Sequence, residues 1–250
     1  MMTRALILLL TLGIPVAVVA EDDSNGEAMD DPHAEVYSEN AYPSAAQCGE
    51  CHPRVFSEWS SSSHAYASIS PMFHKFEQAI TDLTKGTIGT FCVRCHQQVG
   101  TQMGEPRDQA LWERSQVARE GVTCITCHRV KSEFGKVNGE RHIEPGPLTD
   151  PVYGSGTGER DDYFDVLANS ERYDVRTAKN PDGDEIHGTP IEFEQLDKSQ
   201  FCVSCHQVAV NLGIKLEVVW DQYRSSPAGH DGTSCPDCHM GEVPGKAEGY

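Results

Sequence analysis

Ten cysteines fall in five pairs of one spacing: Cys48/Cys51, Cys92/Cys95, Cys124/Cys127, Cys202/Cys205 and Cys235/Cys238. Each pair is followed at once by a histidine, His52, His96, His128, His206 and His239, and no cysteine is left over. Two thiols three residues apart, with an imidazole at the next position, suit one chemistry above others. The sulfurs add across the two vinyl groups of a porphyrin, and the imidazole turns onto the iron as proximal ligand. Disulfides are the usual reading of an even cysteine count in an exported chain, but a disulfide framework places no histidine after every second cysteine. Zinc ribbons use two such pairs per ion, so five pairs leave one over and give the histidines no role. The motifs therefore predict five covalently bound c-type haems (iron). The ten cysteines are the attachment points and the five motif histidines the proximal ligands.

The chemistry at each iron depends on its far side. Six histidines lie outside the motifs: His33, His64, His74, His142, His187 and His230. Five distal positions need filling if every iron holds two imidazoles, and the count permits this with one histidine to spare. The candidate distal ligands are His64, His230, His74, His142 and His187. His33 sits in an acidic stretch and ranks below them. A lone histidine is more often a surface or packing residue, but a chain built around haem shifts that weighting. Methionine is the other axial candidate; Met240 directly follows a proximal histidine and cannot reach over the same haem. Trp59, Trp112 and Trp220 are expected in helices, packed on porphyrin edges.

The elements that must position these groups are short. Ser70-Pro71 reads as a helix N-cap with proline at the first helical position, and Gly86 as the stop. Phe73, Phe76, Ile80 and Leu83 fall on one face between them. Further helices are predicted over Pro106 to Glu120, ending at Gly121, and over Lys215 to Arg224. Strand signals are few. The heptapeptide FCVRCHQ at Phe91 recurs as FCVSCHQ at Phe201, with six of seven residues the same. In both places a second motif follows, preceded by Gly121 or Gly232. The chain thus divides into a single-haem unit over 42–90, a two-haem unit over 91–128, a haem-free insertion over 129–200, and a second two-haem unit over 201–250. The insertion carries turn signals at Asn138-Gly139, Glu144-Pro145-Gly146 and Pro181-Asp182-Gly183. Its glycine run from Gly154 to Gly158 lacks the Gly-Lys-Ser/Thr of a phosphate loop and reads as a loop. The predicted class is mainly α: a haem-cored multihaem cytochrome with short helices and much irregular chain.

Residues 1–20 are apolar after Arg4 and end in Val-Val-Ala before an acidic segment over 21–41. This is the pattern of a secretory signal peptide cleaved after Ala20, too short and too broken by Gly13 and Pro15 for a membrane span. The expected location is the periplasm, the cell surface or the exterior, with no membrane span after cleavage. Cleavage removes one arginine and no acid, so the net charge moves from −18 to −19. Such a charge disfavours nucleic acid and anionic membranes and favours redox protein partners with a positive docking surface. After the leader, about 46 residues remain per motif, so porphyrins are expected to supply much of the core.

The stretch CGECHPRVFSEWSSSSHAYAS over 48–68 resembles the start of the cytochrome c-554 type of multihaem cytochromes. That motif is Cys-x-x-Cys-His, then an aromatic, Trp, Ser and a His followed by small residues, matched here by Cys48, Cys51, His52, Phe56, Trp59, Ser62 and His64. VVWDQYRSSPAGHDGTSCPDCHM over 218–240 looks like a looser second version, with Ala228 at the place of His64 and His230 two residues on. The resemblance implies close-packed haems, mostly bis-His, that relay electrons between a redox enzyme and another cytochrome or extracellular acceptor. It also implies that His64 serves a haem other than that of its own motif. Pentahaem nitrite reductases typically carry Lys at one motif histidine and are longer; all five histidines are kept here. Two other readings compete with a relay. One is an oxidoreductase with one open haem that reduces a small nitrogen or sulfur oxyanion or nitric oxide, with Arg141-His142 and Lys179 as candidate anion donors. The other is an end-to-end assembly, an oligomer or filament, that uses the spare histidine.

Overall fold

Residues three and four apart share one face of a helix, so Cys-x-x-Cys-His places its three functional groups together only if it is helical. A computed structural model of the protein describes residues 41–241, except 107–108, 132–137, 140, 156–158 and 211–212. The leader, all but one residue of the acidic segment, and His33 lie outside the described residues. Every motif sits on a single helical turn or its edge. The elements of the first half are α1 (Ala45–Cys51), α2 (Pro53–Ser60), α3 (Ser63–Tyr66), α4 (Pro71–Thr84), α5 (Val93–His96), α6 (Gln98–Gln102), α7 (Gln116–Arg119) and α8 (Ile125–His128). The second half adds β1 (Tyr153–Gly154), α9 (Glu159–Ala168), β2 (Ile191–Glu192), α10 (Ser199–His206), β3 (Val208–Ala209), β4 (Lys215–Glu217), α11 (Val219–Arg224), α12 (Pro227–Asp231) and α13 (Cys235–His239). The fold is mainly α, with short helices and long irregular connections.

Isolated helices of one or two turns are unstable in water, so caps and tertiary bonds must hold these. Ser44 and Ser234 each form a capping box, with Gln47 on α1 and Asp237 on α13. Ser62 caps α3 and Ser226 caps α12. Helix α4 runs where the sequence predicts it. Ser70 caps it, Pro71 opens it, and the chain leaves through left-handed Lys85 and Gly86.

Two predicted helices are corrected. The one over Pro106 to Glu120 is interrupted: Leu111–Glu113 is a 3-10 turn, Arg114 is extended, and Ser115 caps the short α7. The interruption is tertiary in origin. The buried Arg114 guanidinium lies 3.5 Å from Glu105, which also accepts from the Ser115 amide at 2.9 Å. The helix over Lys215 to Arg224 begins only at Val219. Its first three residues instead form β4, which pairs antiparallel with β3.

The apolar core is small. Ala41, Tyr42, Val99, Val117, Ile125, Val130, Ile143 and Phe201 form its buried cluster. Parallel pairing of β1 with β2 closes part of the 129–200 segment beneath it. Met72, Phe76, Ile80 and Leu83 leave an apolar stripe exposed along α4, more than a soluble surface normally tolerates in one place.

Gly121 ties the first part of the chain together. Its φ is +80°, and a Cβ there would stand 2.5 Å from the His64 carbonyl oxygen. The next residue, Val122, donates its amide to that same oxygen at 3.0 Å and accepts the Trp59 indole N–H at 2.8 Å. Gly121→Ala should therefore lower stability by about 2 kcal/mol or more, from left-handed strain plus the clash. Gly104→Ala has a similar φ of +70° but nothing within 4 Å, and should cost only the strain, about 1 kcal/mol. Denaturant midpoints of the two variants test this, and equal losses would refute the clash.

Candidate functional site

Two of the motif imidazoles are oriented by backbone carbonyls from other parts of the chain. His96 Nδ1 lies 3.0 Å from the Ala67 carbonyl oxygen and His128 Nδ1 lies 2.7 Å from that of Tyr153. An Nδ1–H donated to a carbonyl leaves Nε2 with its lone pair outward, the arrangement a metal-ligating histidine needs. His187 follows the same pattern, with Nδ1 2.8 Å from the Gly188 carbonyl oxygen. Its ring is flanked by that of Tyr163, at 5.9 Å between centroids and 19° between planes.

Two motif histidines face histidines from outside the motifs. His52 and His187 have ring centroids 6.3 Å apart with planes 10° from parallel. His64 and His206 are 6.2 Å apart at 49°. An imidazole nitrogen sits about 2.0–2.1 Å from a bound first-row metal and roughly 1.1 Å from its own ring centroid. Two rings ligating one ion from opposite sides therefore have centroids about 6.3 Å apart. Both pairs meet that distance. Burial, and then the neighbouring His187 and His128, hold His52 towards its neutral form. Burial, and then His206 and Arg141, do the same for His64. Neutral imidazole is the ligating form.

The other three candidates stand differently. His74 is half-buried beside the second motif: its Nε2 lies 2.6 Å from the Ser68 carbonyl oxygen, and its ring is 6.2 Å from Trp112. Its neighbour Phe73 stacks on His96 at 4.0 Å. His142 and His230 are exposed. Among the described residues no ring contact joins His74, His142 or His230 to a motif histidine.

None of the ten cysteines is in a disulfide, and four of them come together across motifs. Cys124 hydrogen-bonds Cys48, and Cys95 hydrogen-bonds Cys205. Motifs one and three, and motifs two and four, are thus in sulfur contact. Gly139 makes room for the second contact, since a Cβ there would lie 2.6 Å from Cys95 Sγ. The fifth motif joins α10 through the Cys235 amide, which donates to Ser199 Oγ at 2.8 Å, while Cys238, His239 and Met240 are exposed. The donor set, the one-turn helices, the imidazole separations and the glycine cradle all fit haem attached through the motifs.

Arg141, which the sequence offers with His142 as a candidate anion donor, is placed by the structure between two motifs. It is 9 % exposed, donates to the carbonyls of Thr126 at 3.3 Å and of Phe201, and stacks over the Phe201 ring at 3.8 Å. It therefore clamps motif three to motif four.

The C-terminal motif is entered through a copy of the Gly121 turn. Gly232 has φ +81°, Thr233 donates its amide to the Ala228 carbonyl at 3.0 Å, and the Tyr223 hydroxyl donates to the Thr233 carbonyl at 3.0 Å. Trp59, His64 and Val122 are thus matched by Tyr223, Ala228 and Thr233. The structural counterpart of His64 is Ala228, and His230 lies outside the copy.

Residues 47–129 match the family model of cytochrome c554 and c-prime. The crystal structure of a penta-heme cytochrome c552 from Thermochromatium tepidum shares the fold, with a TM-score of 0.51 and 21 % identity over 84 % of this chain and 56 % of that one. No curated protein matches the chain. The fold and the motifs define a multihaem c-type cytochrome. Over residues 47–129 the chain is similar to cytochrome c554 and c-prime, and it spans little more than half the length of the Thermochromatium tepidum cytochrome.

Arg141→Met should loosen the contact between motifs three and four. It leaves two carbonyls without their donor, at a cost of about 2–3 kcal/mol. Hydrogen exchange should speed up in α8 and α10 while α2 and α3 keep their protection. Uniform loss of protection would show that Arg141 is no local clamp.

Proposed function

We propose that the chain is exported, loses residues 1–20, and carries five c-type haems as a relay between redox proteins outside the cytoplasm. The observation that carries this reading is the pair of imidazole separations, 6.3 Å for His52–His187 and 6.2 Å for His64–His206. Each joins a motif histidine to one outside any motif. On this reading His187 is the distal ligand of the first haem and His64 that of the fourth. His74, His142 and His230 are the candidates for the remaining positions.

Haem iron supplies a one-electron Fe(III)/Fe(II) couple, tuned by axial ligand, burial and nearby charge. The chain's own residues do the rest. Cys48 lies beside Cys124, and Cys95 beside Cys205, so the porphyrin-bearing turns of motifs one and three, and of motifs two and four, are neighbours. Ala67, Tyr153 and Gly188 hold imidazoles in the ligating tautomer through their carbonyls. The net charge of −19 after cleavage lowers the potentials, because negative charge favours the ferric state, and steers the chain towards partners with a positive face. Among the described residues no helix is long and apolar enough to cross a membrane.

Protein made in a host with cytochrome c maturation should have the mass of the chain from Glu21 plus five haems. Four haems would overturn the count. His64→Ala and His187→Ala should each convert one low-spin ferric signal into a high-spin one in low-temperature EPR. Cys202→Ser/Cys205→Ser should remove the signal that His64→Ala alters, and not the one that His187→Ala alters. If either histidine variant leaves the spectrum unchanged, that ligand assignment fails.

A further inference from the structure

Charge is spread unevenly along the chain. The haem-motif units over 42–128 are nearly balanced, with seven basic and eight acidic residues, and the unit over 201–250 has three and six. The segment 159–198 carries no haem motif, yet it has five basic and twelve acidic residues. Helix α9 (Glu159–Ala168) opens that segment. Residues three and four apart share one helix face, so Asp161, Phe164, Asp165 and Ala168 form one side of α9, and all four are exposed. Val166, on the other side, is buried. A single exposed apolar side chain is ordinary on a protein surface; what distinguishes Phe164 is what it touches. Its ring meets that of Tyr163 at 5.6 Å between centroids and 73°. Tyr163 stacks on His187 at 5.9 Å, and His187 faces His52 at 6.3 Å. Three rings in succession therefore lead from the surface to the proximal histidine of the first motif.

We propose that the outward face of α9 is the docking site of a redox protein whose own haem edge is ringed by lysine or arginine, and that the first haem exchanges electrons there. An apolar centre within a charged rim is the anatomy of a protein interface, and an acidic rim attracts and orients a basic partner. Packing this face on a porphyrin would desolvate the Asp161 and Asp165 carboxylates at high cost, and a second copy of the chain would bring like charge to it. The cover that fits is a partner with cations of its own. The step is a one-electron transfer: the ferrous iron of the first haem is oxidised, a ferric haem of the partner is reduced, and no atom or proton moves. The competing exit is the fifth motif, where Cys238 and His239 are exposed. The acids there are fewer, and two of them are engaged, Asp221 with Lys215 and Asp237 with the Ser234 amide.

The inference rests on the relay function proposed above and adds to it a place and a partner chemistry. The test is stopped-flow electron transfer from the reduced mature holoprotein to ferric mitochondrial cytochrome c, a lysine-ringed haem protein that serves as the probe. Absorbance and the EPR change in His187→Ala are checked first. If haem is absent or His187 is no ligand, relay and docking face fall together; if both hold, the rate constants judge the docking face alone. Expected is a second-order rate constant that falls about tenfold between low and physiological salt. Asp161→Asn/Asp165→Asn should slow the reaction about fivefold at low salt and flatten its salt dependence. Phe164→Ala should slow it about threefold or more with the salt dependence kept. All three residues are exposed, so haem attachment should survive. Glu217→Gln/Asp231→Asn removes the same charge near the fifth motif and should leave the rate within about twofold. Three results overturn the proposal. One is an unchanged rate in both α9 variants. Another is greater slowing in the Glu217/Asp231 pair, which moves the exchange to the fifth motif. The third is a wild-type dimer in sedimentation that Phe164→Ala dissolves, which seats a second copy on this face.

Discussion

The constraint on which the molecule depends is the single helical turn. Two thiols and an imidazole at i, i+3 and i+4 lie on one face only while that turn is helical, and a turn of four or five residues does not hold itself. Where the motif helices α5, α8 and α13 are shortest, residues before them help to keep them helical: Ser234 caps the start of α13, and Val122 and Gly121 anchor the chain entering α8 to the carbonyl of His64. The chain spends much of its length on such fastenings rather than on an apolar core, and the buried cluster around Val99, Ile125 and Phe201 is correspondingly small.

Part of the polar chemistry outside the motifs orients imidazoles. The segment 129–200 carries no haem motif, yet Tyr153 on β1 gives its carbonyl to His128, and His187, just before β2, faces His52. The pairing of β1 with β2 thus sets two imidazoles at once. Arg141, from the same segment, bonds to motif three and motif four together. A stretch that reads as an insertion is in effect the clamp between the two halves of the motif array.

The internal repeat has two levels. At the first, the heptapeptides place Gln97 and Gln207 alike: each is buried, and each donates its amide to a side chain of a neighbouring element, Ser68 in one case and Asp221 in the other. At the second, the turn before motif three and the turn before motif five share their hydrogen bonds down to the aromatic donor. The copies diverge where the surroundings diverge. Ala228 replaces His64 at the exposed end of the array, where the described residues show no motif histidine opposite it. Arg94 replaces Ser204 where a guanidinium donates to the backbone carbonyl of Asn138.

What the sequence determined by itself is everything carried by short spacing. The five Cys-x-x-Cys-His turns, the cap and stop of α4 and the left-handed Asn138-Gly139 turn follow from neighbours within a few residues, because helix periodicity, caps and positive φ are local properties. The tertiary structure decided what depends on distant partners. Helix 106–120 is broken because Arg114 and Ser115 both turn to Glu105. Residues 215–217 are a strand because β3 offers them a ladder. His64 and His187 are separated from the other candidates by which motif histidine each one faces. A histidine's residue type is the same at 64, 142 and 230; only the fold determines whether another imidazole stands 6.2 Å away or solvent does.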